Sequence, residues 1–440
     1  LRLETLFRAA QRAGESSAFA AAIATTSQTA PENVLLTAWR YRLQPDGEAS
    51  LALPGQLRPA RLLDLGDAWG VAIPLSLALA LLFWLLSDPR LVLMGGVPVL
   101  AFLWSPLTAL ALIGLLTGAV RQHIRRAILV AGGLVAITAF SLTAALFWTP
   151  ASLRETYSTL MLLHLPVLAW AAVGLTVLGW RPSSSDAFAF LLKSLETLGV
   201  IGVAVIAGGL FVGLTYGMFS ALSIDLPDVI VRLLVAGGAG LIPVLAVASV
   251  YIPTVAPSQQ EFQRGFGKLL NTLVRALLPL AAVVLIIYVL VIPFNFIQPF
   301  VNRDALIIYN AVLFAVLALL ISVTPLTTTD GSPCLLAILR IGITLVAALI
   351  SIVGLYALAA VTYRTITGEL TMNRLVVIGW DVINIGLLVA LLVAQFRQRR
   401  VDSSPAWFTA FHRVFRAGMA VYLVWAVLLT VTLPWLFSLI

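Results

Sequence analysis

Charge is scarce in this chain: only 10% of its 440 residues are Asp, Glu, Lys or Arg, where soluble globular proteins carry roughly 25%. A water-soluble fold of this length needs a polar surface that these residues cannot supply. Cysteine is scarcer still. Cys334 stands alone, which excludes an internal disulfide, a cysteine-based zinc site and an iron–sulfur cluster built within the chain. No P-loop, dinucleotide fingerprint, HExxH, GxSxG elbow or CxxC occurs. The loop acids Glu155, Asp304 and Glu369 stand singly, so the paired carboxylates or metal that a sugar- or lipid-transferring enzyme uses are missing there. No catalytic residue, metal site or cofactor is expected.

What the chain has is apolar length. Apolar residues make up 61% of it, and runs of about 20 of them, enough to cross the hydrocarbon of a bilayer as a helix, recur from residue 68 onward. The pattern predicts an all-α, polytopic transmembrane bundle of eleven spans. They fall near 68–87, 97–120, 127–148, 158–180, 198–220, 229–252, 271–293, 306–326, 335–361, 375–396 and 417–438. The run 91–120 exceeds one span. A re-entrant hairpin broken at Pro98 or Pro106 would put Arg90 on the same side as Arg121, Arg125 and Arg126, so a single kinked span is expected.

The net charge of +8 does not point to nucleic acid. The N-terminal 66 residues are nearly balanced, and the basic excess lies in short loops, where it orients the protein and meets anionic headgroups. With the N-terminus inside, the cytoplasmic segments hold 20 Lys and Arg and the opposite loops hold 5. That bias predicts N-in, C-out.

Residues 1–66 read as a small soluble or interfacial helical segment, and 67–440 as the transmembrane domain. Arg2 to Ile23 suits a helix, Thr29-Ala-Pro-Glu32 has capping-box spacing, Pro45-Asp-Gly47 signals a turn, and 48–63 reads as a short extended hairpin. The chain opens at Leu1 rather than Met, which leaves room for residues upstream, and no secretion signal is visible at its start. Near the other end, Ser404 and Pro405 open an expected interfacial helix over 405–416. Trp407, Phe408, Phe411 and Phe415 would form one face of it, and His412, Arg413 and Arg416 the other.

Charges at membrane depth cost about 2.5–3.5 kcal/mol each by insertion scales and mark a candidate site. Asp381 lies about seven residues into its span with Asn384 one turn on. Arg232 lies at compatible depth and is the expected partner of Asp381, while Arg340 enters from the opposite side. Such groups either form a functional polar site or simply pair and snorkel to hold helices together. His164 reads as a metal or chlorophyll ligand or as a hydrogen-bonded packing residue. A haem between helices wants two facing histidines, and His123 and His412 fall at loop or interface positions. Lys193 and Glu196, three apart, read as an ordinary helix-face ion pair.

Gly209, Gly213 and Gly217 make two overlapping small-xxx-small pairs in the fifth span, which also carries Gly199, Gly202 and Gly208. Gly114 and Gly118 make another in the second. Close helix packing inside the bundle is the expected role, with a dimer seam or sliding gate as the alternative.

From about Val250 to Leu392 the sequence resembles a bacterial family of multi-span proteins, domain of unknown function 4153. The matching segments are Tyr251-Ile-Pro253 and the basic stretch after it, Leu278-Pro279-Leu280, Tyr288, Arg364, and the Gly368, Leu370, Thr371, Arg374 run. Glu369 intervenes in that run, and Leu375 stands where the family usually has an aromatic residue. The resemblance implies a multi-pass protein of a bacterial cytoplasmic (inner) membrane, and assigns no catalytic residue. The expected surroundings are the lipid bilayer and membrane-protein partners or further copies of the chain. A non-catalytic scaffold or accessory subunit is the leading reading. A transporter or lipid flippase around Asp381 comes second, and a lipid-modifying enzyme third.

Overall fold

The computed structural model describes residues 22–23, 25–26 and 60–437, except 94–95, 121–122, 263–264 and 402–406, and describes backbone alone at 60–67, 303–305, 329 and 399–401. The elements expected within 1–59 and the Ser404–Pro405 helix start therefore lie almost wholly outside the described residues. Residues 60–63, expected to end an extended hairpin, are helical instead. By its internal contacts the chain divides into Leu1–Leu62 and Leu63–Ile440.

Among the described residues there is no strand, and eleven helices are long and apolar enough to cross a membrane. Helices suit these runs because a backbone in hydrocarbon must satisfy every N–H and C=O within itself. They are α1 Ala60–Leu86, α2 Val99–Gly118, α3 Ile124–Thr143 with a π-helical turn Ala144–Trp148, and α4 Arg154–Leu178. Next come α5 Ser184–Ala221 and α6 Asp228–Val250, the latter with a π-helical turn at Leu233–Gly237. The remainder are α7 Gly265–Val291, α8 Arg303–Val323, α9 Pro333–Ile366, α10 Met372–Val401 and α11 Phe408–Leu436. All eleven predicted spans are there, and the protein is a polytopic α-helical membrane bundle.

Two boundaries differ from the sequence reading in an informative way. Helix α5 begins fourteen residues before the apolar run does, because the Ser183 side chain caps it by accepting from the Asp186 N–H. Apolar count marks where lipid begins, whereas the cap marks where the helix begins. Likewise the expected interfacial helix is not separate: Phe408–Leu436 runs unbroken into the last span. The run 91–120 resolves as a loop closed by an isolated Val92–Pro98 bridge, followed by α2, which carries Pro106 internally.

Helix α9 packs on α7, α8 and α10, and α11 packs on α10, α4 and the first half of α5. One apolar cluster joins Phe188, Leu285, Leu320, Ile343, Ile350 and Leu388; a second joins Phe102, Tyr157, Met161, Met372 and Leu429. A smaller cluster of Ala72, Leu79, Phe83, Leu115 and Val244 binds α1 to α2 and α6. At Gly240 the α6 backbone lies so near Ala80 that an added Cβ would fall 2.8 Å from the Ala80 Cα. That approach is available only to glycine.

Candidate functional site

Helix α10 carries a buried polar stripe. Asp381, Asn384 and Gln395 are each at most 1% exposed, and with Leu388 and Leu391 they follow the three- and four-residue spacing of one helix face. At about 1.5 Å per residue, Asp381 lies about 10 Å beyond Arg374 along the axis, within the apolar stretch of α10. Asp381 Oδ2, Asn384 Nδ2 and both polar atoms of Gln395 have no hydrogen-bond partner among the described residues. Groups of that kind are rare in a folded interior.

Around the stripe, aromatic side chains from three helices close in. Asn384 Oδ1 accepts from the Tyr422 hydroxyl of α11. The Trp380 and Tyr422 rings meet edge to face at 4.9 Å, and Phe314 of α8 meets both edge to face at 5.9 and 6.4 Å. Tyr422 escaped the sequence reading because nothing in an apolar span distinguishes a tyrosine aimed at an amide from one anchored at the interface. Gly379 is the other unrecognised member: a Cβ there would overlap the Trp425 ring, so this glycine lets α11 lie against α10 directly beside Asp381.

The expected Asp381–Arg232 pair does not form. Arg232 instead donates to Ser87 Oγ at 3.1 Å and to the Trp84 carbonyl at 2.9 Å, and lies 3.7 Å from Asp88. It ties α6 to the end of α1. Helices α6 and α10 do not pack side by side, and a match in expected depth says nothing about position around the bundle. Arg340 is half-buried on α9, and no ion pair joins it to Asp381 among the described residues.

His164 is a packing histidine. Its Nδ1 meets the Leu160 carbonyl at 2.7 Å, and its Nε2 accepts from Trp380 Nε1 at 3.2 Å. Both ring nitrogens are engaged, and no cluster of metal-ligating side chains occurs among the described residues. His412, expected at an interface, is buried instead, stacked on Phe188 at 4.1 Å with Nε2 against the Pro325 carbonyl. The continuation of α11 carries it inward. Trp407, Phe408, Phe411 and Phe415 share that buried side, while Arg413 and Arg416 are exposed.

Lys193 and Glu196 form the expected ion pair three residues apart on α5, but it is buried. Their side chains are 5% and 9% exposed, Nζ lies 2.7 Å from Glu196 Oε2, and it also donates to the Glu261 carbonyl at 2.6 Å. The early start of α5 places them inside the bundle, where they clamp the loop preceding α7.

The glycine motifs separate into two kinds. Gly114 and Gly118 pack against Leu75 and Val71 of α1, at 3.6 and 3.3 Å from an added Cβ, so this pair is a genuine internal contact. Gly209, Gly213 and Gly217 have nothing within 4 Å, nor do Gly202 and Gly208, and from Gly202 to Ala221 no residue of α5 is buried. Internal packing therefore fails as their role. Comparison with protein-family models, curated proteins and solved structures returns no match to this chain.

Proposed function

We propose that this protein is a non-catalytic membrane component, a scaffold or accessory subunit, which presents the second half of α5 to a membrane-spanning helix of another protein or of a second copy. The supporting observation is that half-helix itself. Phe211, Leu214 and Met218 are 62%, 69% and 71% exposed, and Gly209, Gly213 and Gly217 face open space. Glycine inside a helix costs about 1 kcal/mol relative to alanine, and in lipid that cost is offset where two backbones approach closely. Membership of the bacterial family named above, an inner-membrane location and the N-in, C-out orientation belong to the same proposal. They rest on the Tyr251-Ile-Pro253, Leu278-Pro279-Leu280 and Gly368–Arg374 segments and on the charge bias between loops. Purification in mild detergent tests the reading: wild-type protein is expected to travel in a complex that Gly213→Leu dissolves while the isolated chain melts unchanged. An assembly indifferent to that substitution would sink it.

A second reading, a transporter or flippase, draws on the orphaned Asp381 Oδ2 and Asn384 Nδ2. A carboxyl group at this depth without an arginine needs a proton or a cation, and either is a cargo or a coupling ion. In proteoliposomes with an internal pH dye, wild-type protein would then dissipate a proton gradient faster than Asp381→Asn. Equal rates would remove this reading.

A further inference from the structure

Five helix ends converge where the bundle carries Arg125 and Arg126: α2, α4 and α6 finish there, and α3 and α5 begin. Between them lies a cavity of about 350 Å³, and its wall includes His123, Arg126, Asp186 and Tyr251. None of these belongs to the α10 stripe or to the outer face of α5.

Three features make this cavity rich in donors. Tyr251 is 8% exposed, and its hydroxyl makes no hydrogen bond among the described residues although the side chain lines the cavity. Arg126 is pinned in the wall: Nη2 donates to the Thr176 carbonyl in the last turn of α4 at 2.6 Å, while its buried Nε has no partner among the described residues. His123 holds the N-cap position of α3 in a left-handed conformation, φ 57°, and its side chain makes no cap bond, so among the described residues the first-turn N–H groups of this 20-residue helix have no side-chain cap. A helix start of this kind favours an anion.

Asp186 is the opposing charge, and it is already engaged. Its Oδ2 accepts from Ser183 Oγ at 2.7 Å, and its Oδ1 accepts from Ser258 Oγ at 2.6 Å and Ser258 N at 3.1 Å. Three donors around one carboxylate spread its charge and leave the arginine side of the cavity to an incoming group. Leu116, Val177 and Leu178 make an apolar wall beside it.

We propose that this cavity binds a phosphoryl group, carried by a phospholipid headgroup or by a soluble phosphate, with Arg126, the Tyr251 hydroxyl and the uncapped start of α3 as its donors. The decisive variant is Tyr251→Phe, which removes one oxygen and keeps the packing ring; Arg126→Gln is a secondary variant, because Arg126 also holds the end of α4. Two probes separate the sources. Native mass spectrometry of the detergent-solubilised protein counts phospholipids that survive delipidation, and melting curves over a titration of inorganic phosphate report a soluble ligand. One hydrogen bond to a charged group corresponds to roughly tenfold in affinity. A lipid source is indicated by phospholipid retained on the wild type and lost at roughly tenfold milder delipidation from Tyr251→Phe. A soluble source is indicated by a phosphate-dependent rise in melting temperature that needs roughly tenfold more phosphate in the variant. If neither probe binds the wild type, or if Tyr251→Phe binds both as the wild type does, the proposal is overturned.

Discussion

Trp380 donates its indole N–H to His164 Nε2 at 3.2 Å, and this bond decides the tautomer of the imidazole. Nε2 accepts, so the proton sits on Nδ1, where it meets the Leu160 carbonyl at 2.7 Å. The pair welds α4 to α10 one residue before Asp381, which makes it the positioning contact of the polar stripe. Trp380→Phe keeps most of the ring volume and strands a buried acceptor, for which about 1–3 kcal/mol of stability is expected to be lost. Thermal melting in detergent measures it. A Trp380→Phe protein that melts like the wild type would show that the bond contributes nothing.

Arg232 and Asp381 belong to separate neighbourhoods, so their substitutions should not know of each other. Arg232→Ala frees Ser87 Oγ and the Trp84 carbonyl at the α1–α6 contact, while Asp381→Asn acts on α10. Distant sites add within about 0.3–0.5 kcal/mol. The double variant is expected to melt at the sum of the two single effects. A coupling beyond that range would restore the ion pair suggested by depth alone.

The glycines sort by what lies opposite them. At Gly379 a methyl group would run into the Trp425 ring, and at Gly240 into the Ala80 backbone. Overpacking of this sort costs about 1–3 kcal/mol, more where backbone cannot yield. Gly379→Ala and Gly240→Ala should therefore lower the melting temperature of the isolated chain. Gly213→Ala, facing open space, should leave it unchanged. An equal effect at all three positions would contradict the open placement of the second half of α5.

Why was so much of the fold legible and so little of the site? Hydropathy reports one coordinate, depth, and eleven apolar runs with proline and cap signals were enough to count the spans. It also put Asp381 and Asn384 within a span, and both are buried in α10. Position around the bundle is a second coordinate that a single sequence does not carry, and the Arg232 pairing failed there. The same gap hid Tyr422 and Gly379, and it made Gly213 indistinguishable from Gly118. The ion pair of Lys193 and Glu196 was legible from their spacing, but its burial was not, because the Ser183 cap starts their helix well before the apolar run begins.

Orientation can be read from the single native thiol. Cys334 is exposed in the first turn of α9, on the side that the 20-to-5 basic bias assigns to the cytoplasm. A membrane-impermeant maleimide applied to intact cells is expected to leave it unlabelled, and to label it once the membrane is opened. Labelling of Cys334 in intact cells would invert the orientation.

The buried Lys193–Glu196 pair carries the last expectation. Nζ sits 2.7 Å from Glu196 Oε2 and 2.6 Å from the Glu261 carbonyl, and lies 4.7 Å from the centre of the Phe262 ring. The ammonium therefore binds α5 to the loop before α7 through the neutral Glu261 carbonyl, while Glu196 on the same helix balances its charge. Gly267 faces the same carboxylate, where a Cβ would come within 2.7 Å of Glu196 Oε1. Removing one partner leaves the other charge buried and uncompensated, at a cost of about 3–5 kcal/mol, whereas apolar replacement of both often approaches neutrality. Lys193→Met and Glu196→Leu should each destabilise the protein strongly in detergent melting, and the double variant should melt above both. The recovery should stay incomplete, because the Glu261 carbonyl still loses its donor. Two mild single effects that simply add would mean that water reaches the pair and that the clamp on the α7 loop comes from Phe262 packing alone.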